Sequence, residues 1–323
     1  FIAAILGSSS ACSAMVGAML IPAMAKRGYD KGFSAGIVAA SGGLGPLIPP
    51  STLAIIYAGI ADVSINKMFM AGYTPGIILA VMFMVYAHIK ARRNKWPAEP
   101  KPTLKVFVNK LLRALPTLFL PIIIMGSIMA GICTATESAV IAVLYCIIVS
   151  VFGYKTIKLR ELPRLLVKGA RSGAMILAVI ASASFLAYIM TVSLIPQTVT
   201  QGITALTTNP YIFMLLVQVI LLIVGMFLDA SCAIVILTPI LLPVALRLGV
   251  DPLFFGVVMI LNLQIGILTP PVGVNLYVAA SVAKMDVLSV AKHSLPFILM
   301  IGFLVILAVF FPGIFTFLPN LIG

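Results

Sequence analysis

The chain has 323 residues, of which 62% are hydrophobic and only 9% charged, with a mean hydropathy of +1.21. A soluble domain carries roughly 25% charged residues, so this composition excludes a water-facing surface and makes lipid the solvent. The net charge of +13 is no nucleic-acid signature, because Lys and Arg stand at the ends of apolar runs, as they do in cytoplasmic loops.

The sequence opens at Phe1, not Met, inside an apolar run without a charged leader. No signal peptide is expected, and the sequence reads as beginning partway through a longer protein. Phe1 to Leu6 reads as the end of a helical arm, "GSSS" (Gly7 to Ser10) as its tip, and Ala11 to Ala25 as a second arm. These form a hairpin that dips into the membrane. Lys26, Arg27 and Lys31 form a basic turn, and Phe33 to Ile60 is an apolar stretch broken by "GLGPLIPPST". Prolines 46, 49 and 50 remove amide donors and push the preceding residues out of helical geometry. Gly42, Gly43 and Gly45 permit an unwound backbone.

Ala71 to Ile89 is the next apolar run, followed by the cytoplasmic stretch Lys90 to Arg113, which carries eight Lys/Arg and an interfacial Trp96. Ala114 to Ile132 crosses outward; "CTATES" turns, with Thr134 and Glu137 spaced as a capping box. Ala139 to Phe152 returns, and Lys155 to Arg171 adds six more Lys/Arg on the same side. Ser172 to Ser193 crosses again and leads into Gln197 to Asn209, a polar segment without charge. Tyr211 to Leu228 and Cys232 to Leu246 are two arms around the tip "DAS", Asp229 to Ser231. They are slightly short for a span of about 20 residues, which suits a re-entrant hairpin. Arg247 to Asp251 turns outside, Leu253 to Val282 is a second interrupted stretch, and Leu295 to Phe315 crosses last. On this count only Lys67 and Arg247 of the 21 Lys/Arg lie outside. His88 and His293 sit at helix ends and read as interfacial, and the four cysteines read as small apolar residues without metal-ligand spacing.

The two hairpins and the two breaks are related by one offset. With 221 residues held fixed, Ser10 meets Ser231, Pro22 meets Pro243, and Gly28 and Asp30 meet Gly249 and Asp251. Phe33 meets Phe254, Gly45 meets Gly266, Pro49 and Pro50 meet Pro270 and Pro271, and Pro75 meets Pro296. The charge count puts Gly28–Asp30 inside and Gly249–Asp251 outside, so the copies are inverted. Inverted repeats with broken helices mark secondary transporters, with ions and substrate bound near the midplane. The fold class is therefore an all-α polytopic membrane protein with inverted-topology repeats, re-entrant hairpins and discontinuous helices. Its first part, 1–90, holds the first hairpin and break. Residues 91–210 hold basic linkers and scaffold helices, and 211–316 the second hairpin, second break and final helix.

Three serines before a helix exceed what one cap requires, and exposed amides with hydroxyls at a helix start favour an anion. Asp229 between two apolar arms is costly, and a nearby cation would offset that cost. Freed carbonyls at the breaks are hard oxygen ligands for an alkali cation. No Lys or Arg lies within a spanning segment, so an anionic substrate falls to hydroxyls, amides, helix ends and bound cations. No nucleophile–base pair, transition-metal cluster or nucleotide loop argues for an enzyme.

The segments "GSSSACSAMVGAMLIPAM", "GYDKGFSAG", "GGLGPLIPPS", "GICTATESAVIAVLY", "GMFLDASCAIVILTPILLPVALRLGVDPLFFG" and "NLQIGILTPPVGVNLYVA" resemble the large membrane subunit of tripartite ATP-independent periplasmic (TRAP) transporters along essentially the whole chain. The resemblance implies an ion-transporter-like fold with elevator movement in a bacterial or archaeal inner membrane. It implies Na+ coupling and uptake of an organic acid such as sialic acid, a C4-dicarboxylate or a related sugar acid. It also implies a small membrane subunit and a periplasmic binding protein as partners, with no nucleic acid. Carried onto this sequence, sodium would be held by Ser8, Ser9, Ser10, Gly43 and Gly45, and by Asp229, Ser231, Asn262, Gly266 and Thr269. Substrate would lie near Ser51, Thr52, Gly273 and Asn275. Rival readings are an inverted-repeat citrate or dicarboxylate permease working without a binding protein, and a passive channel.

Overall fold

The computed structural model describes residues 6–97 and 103–322; the expected arm residues 1–5 and the linker residue Lys101 lie outside the described residues. Every regular element among the described residues is helical. Seven helices among the described residues are long and apolar enough to cross a membrane, as the composition requires.

The helices are α1 (Ser9–Lys26), α2 (Lys31–Gly42), α3 (Thr52–Ala61), α4 (Ile65–Arg93), α5 (Leu104–Met129), α6 (Ala135–Ile148) and α7 (Leu162–Val192). They continue with α8 (Ile195–Leu206), α9 (Pro210–Phe227), α10 (Ala230–Arg247), α11 (Pro252–Gly266), α12 (Val274–Ala283), α13 (Val287–Phe310) and α14 (Gly313–Ile322). The chain divides into two compact units, one of residues Ala98–Ser182 and one of Ile2–Pro97 with Ala183–Gly323, the boundary falling inside α7.

In the first unit, α5 and α6 form a hairpin. Its turn is fixed by the expected capping box: the Thr134 amide donates to the Glu137 carboxylate at 2.8 Å, and the Glu137 amide to Thr134 Oγ1 at 3.3 Å. Ser127 and Ser138 hydroxyls meet at 3.0 Å across the pair, and Tyr145 donates to the Pro116 carbonyl at 2.7 Å. A π-turn, Val149–Gly153, closes α6. No more than 11% of the apolar window of α5 or of α6 with its π-turn is buried, so the described residues of the chain leave most of both helices uncovered.

The second unit contains both repeat copies, and their local chemistry recurs at the expected offset. Helix α1 and helix α10 begin and end 221 residues apart, α2 and α11 begin 221 apart, and α3 and α12 correspond within one residue. Each hairpin arm ends on a glycine with positive φ, Gly28 at 81° and Gly249 at 77°. A side chain would be strained in that conformation. Asp30 and Asp251 then cap the next helices by accepting from the Phe33 and Phe254 amides at 2.6 and 2.8 Å. The packing is exchanged between the copies: α1 lies on α12 of the second, and α10 lies on α3 of the first.

Several boundaries differ from the sequence expectation, as where α4, α5 and α13 start six to ten residues before the expected apolar runs. The polar segment Gln197 to Asn209 is largely helix α8, because Pro196 starts a helix whose apolar residues recur at helical spacing, and α8 packs on α10. The last apolar run ends at Phe310, since Pro312 disfavours helical geometry in the residue before it, and α14 starts anew. Helix α7 begins ten residues before Ser172, taking up most of the basic segment Lys155 to Arg171.

Candidate functional site

Both breaks are cases where prolines and glycines prevent one continuous helix. After α2 the chain makes tight turns, with the Gly45 amide bonding the Gly42 carbonyl at 3.1 Å, before α3 starts at Thr52. Ser51 caps α3 by accepting from the Ala54 amide at 3.1 Å, and its hydroxyl also bonds the Pro46 carbonyl. After α11 the chain turns through 267–273, and Gly273, with φ of 44°, stands at the start of α12. The Pro49–Pro50 and Pro270–Pro271 bonds are both cis.

The two hairpin tips lie against these breaks. Thr52 Oγ1 donates to the Gly7 carbonyl at 2.9 Å, holding the first tip to α3. The Val272 amide bonds the Met226 carbonyl at 3.3 Å, holding the second break to the end of α9. Asp229 caps α10, its Oδ1 accepting from the Ser231 amide at 2.9 Å. Ser8 precedes α1 with extended backbone and makes no side-chain cap bond, which leaves its hydroxyl available.

Between these parts lies a narrow cleft of about 50 Å³. Seven of the sequence-derived residues line it: Ser8, Ser9, Ser10, Thr52, Asp229, Ser231 and Asn275. Four helix starts converge there, those of α1, α3, α10 and α12. Each helix start carries roughly +0.5 of an elementary charge, so the cleft has a positive field although no Lys or Arg lines it. Asp229, exposed to the cleft, is the one carboxylate in the lining.

The other seven sequence-derived residues stand behind the lining. Gly43 and Gly45 are buried in the first break; a side chain at Gly43 would come within 3.2 Å of Gln264 Oε1. Ser51 is occupied by its cap. Asn262 points away, its Nδ2 donating to the carbonyl and Oε1 of Gln218 at 3.1 and 2.6 Å. Gly266 lies where α9 presses on the break, since an added Cβ would be 2.4 Å from the Gly225 carbonyl carbon. Thr269 bonds the Ile265 carbonyl at 2.7 Å. Gly273 supplies the positive φ that starts α12.

Asn275 joins the copies. It is fully buried, and its Nδ2 donates to Ser9 Oγ at 2.6 Å and to the Ala39 carbonyl at 3.0 Å, across 266 and 236 residues. The Gly43 amide bonds the Ala40 carbonyl, so Asn275 satisfies an end carbonyl of α2 that the helix itself leaves open.

Gln264 also lines the cleft and was not among the site residues drawn from the sequence. Its Nε2 donates to the Ile260 carbonyl at 3.1 Å, while its buried Oε1 has no partner. Ser13 Oγ and Asn275 Oδ1 are likewise buried and unpaired. The signal in the sequence was the pair of carboxamides in the apolar run "LNLQIG", Asn262 and Gln264, which does not say which of the two faces the cleft. Buried polar atoms normally find partners, so the two unpaired oxygens in the cleft lining, Gln264 Oε1 and Asn275 Oδ1, fit a bound cation or water.

Comparison with known proteins adds an independent finding. A family profile described as "Tripartite ATP-independent periplasmic transporter, DctM component" matches residues 1–314. The chain is 38% identical over 321 residues to the C4-dicarboxylate TRAP transporter large permease protein DctM of Pseudomonas aeruginosa, covering 99% of this chain and 75% of that protein. It is 40% identical over 315 residues to the isethionate TRAP transporter permease protein DctMQ of Oleidesulfovibrio alaskensis, covering 97% and 50%. To the sialic acid TRAP transporter permease protein SiaT of Haemophilus influenzae it is 34% identical over 316 residues, covering 98% and 51%.

Proposed function

This chain belongs to the DctM component of the tripartite ATP-independent periplasmic transporters, and from that premise we propose that it imports an organic-acid anion with sodium through the cleft between the two tips and the two breaks. The subunit is a large permease, a multi-pass inner-membrane protein and not an enzyme. A periplasmic binding protein delivers the anion, and a small membrane subunit completes the complex.

The observation that carries the reading is the convergence of four helix starts with one carboxylate and no basic side chain. Helix starts and serine hydroxyls attract the carboxylate of a substrate. Asp229 and the unpaired oxygens of Gln264 and Asn275 attract a small hard cation. Each charge lowers the cost of bringing in the other, which is the basis of coupling. The names of the relatives cover C4-dicarboxylate, isethionate and sialic acid, and organic anions of that kind suit this field. The exchanged packing of α1 on α12 and α10 on α3 favours the two hairpins and breaks moving as one body, as an elevator does.

The test is uptake of radiolabelled organic acids into proteoliposomes holding the complete complex, with an inward sodium gradient. Asp229→Asn keeps the helix cap, because Asn caps as well as Asp, but removes the charge. It raises the sodium concentration for half-maximal uptake about tenfold, corresponding to about 1.4 kcal/mol. Uptake that needs no sodium, or an unchanged sodium response in this variant, would sink the proposal.

A further inference from the structure

The two copies differ at one place where their symmetry can be read as a template. In the first copy, the loop Gly28–Asp30 and the start of α2 are covered by residues that follow α4. Trp96 packs its ring 5.0 Å from Tyr29 and 4.8 Å from Phe33, centroid to centroid. Asp30, which caps α2, also faces a cationisable group, with His293 Nε2 at 3.5 Å. The other nitrogen, Nδ1, lies 2.8 Å from the Ser289 carbonyl. Both ring nitrogens thus lie near acceptor oxygens.

In the second copy the same loop, Gly249–Asp251, and the matching ring, Phe254, border an open cavity of about 360 Å³ between α9, α13 and α14. Tyr211, Met214, Val250, Val309 and Thr316 complete much of its wall. The residues 221 and 222 positions after Trp96 are Phe317 and Leu318. They line a different groove, beside Thr74, Ile77 and Ile78, so the counterpart of Trp96 does not fill the cavity. The residue 221 positions before His293 is Gly72, which has no side chain to offer a charge. Asp251 accepts from the Phe254 amide at 2.8 Å and forms no ion pair among the described residues. The second copy therefore lacks counterparts of both Trp96 and His293 at this loop, and the rings of Tyr211 and Phe254 stand in the cavity wall without filling it.

We propose that this cavity is a docking pocket for a partner polypeptide, which seats one aromatic side chain beside Phe254 and an adjacent Lys or Arg toward Asp251. The charge count of the loops puts it on the extracytoplasmic face. An aromatic ring anchored in a pocket beside a charge pair is the composition that dominates binding at protein interfaces. The inference concerns recognition alone and holds for any transported anion.

The test places a reporter cysteine in the pocket of the purified transporter, in phosphatidylcholine nanodiscs. Gly313→Cys is suitable, because nothing lies within 4 Å of a Cβ built there, and Thr316→Cys is the second reporter. Alkylation of the reporter is followed by peptide mass spectrometry, which separates it from the native cysteines. N-acetyl-Arg-Trp-amide slows alkylation roughly threefold when present at twice its dissociation constant. N-acetyl-Arg-Ala-amide and N-acetyl-Glu-Trp-amide do not, and Asp251→Asn, which keeps the cap, abolishes the advantage of Arg over Glu. Equal effects of the three peptides, or no protection by the Arg-Trp peptide at either reporter, overturn the proposal. A reporter that reacts in detergent but not in the nanodisc overturns it also, because a lipid chain then fills the pocket.

Discussion

Asn275→Leu removes a side-chain link between the two copies with little change of volume. Two hydrogen bonds are lost, to Ser9 Oγ and to the Ala39 carbonyl, each contributing about 1 kcal/mol. The Ala39 carbonyl is left at the end of α2 without that partner, and an unpaired buried acceptor costs about 1–3 kcal/mol. The expected loss is about 2–4 kcal/mol, because part of the second cost overlaps the first. At roughly 2 °C per kcal/mol for a chain of this size, the unfolding midpoint falls by about 4–8 °C. Ser9→Ala removes one of the two bonds and leaves Ala39 capped, so its loss is about 1 kcal/mol. The double variant is less destabilised than the sum of the singles by about 1 kcal/mol, since one bond is removed only once. Thermal unfolding in detergent, followed by size-exclusion chromatography of the heated protein, measures all four corners of the cycle. Strictly additive singles, or an Asn275→Leu midpoint within about 1 °C of the parent, would refute the bridging role.

Two further outcomes follow from the packing. Gly266→Ala places a methyl 2.4–2.6 Å from backbone atoms of Gly225, where ordinary carbon contacts need about 3.5 Å. The arms must part by about 1 Å, costing about 1–3 kcal/mol; Gly59→Ala, with open space around its Cβ, leaves the midpoint unchanged or raises it. Equal midpoints for the two variants would show that α9 does not press on the break. In the other unit, Glu137→Ala destabilises by about 1 kcal/mol through loss of the capping box, while Glu137→Gln retains it. The same thermal assay reads both, and equal losses from the two substitutions would argue against a capping role.

Much of this protein was legible in the residues because its strongest rules are local. Low charge forces lipid contact, clustered glycines and prolines at 42–50 and 266–273 break helices where the isolated Pro22, Pro75 and Pro296 do not, and Thr134 with Glu137, Asp30 and Asp251 cap the helices that follow them. The 221-residue offset joined the two hairpins to the two breaks without reference to contacts. The assignment of side chains to the cleft needed more than this. Residues two apart on a helix point about 200° apart, so a cleft that takes Gln264 must turn Asn262 the other way, toward Gln218. Both are carboxamides in one apolar run, and nothing in that run says which face is inward. Likewise no sequence spacing announces that Asn275 reaches Ser9 and Ala39, or that Gly266 meets Gly225. Those pairings arise when α1 packs on α12 and α9 on α11, and helical phase between distant elements is decided by that packing. The sequence by itself determined the solvent, the breaks, the caps and the repeat; only the tertiary structure decided which oxygens share one cleft.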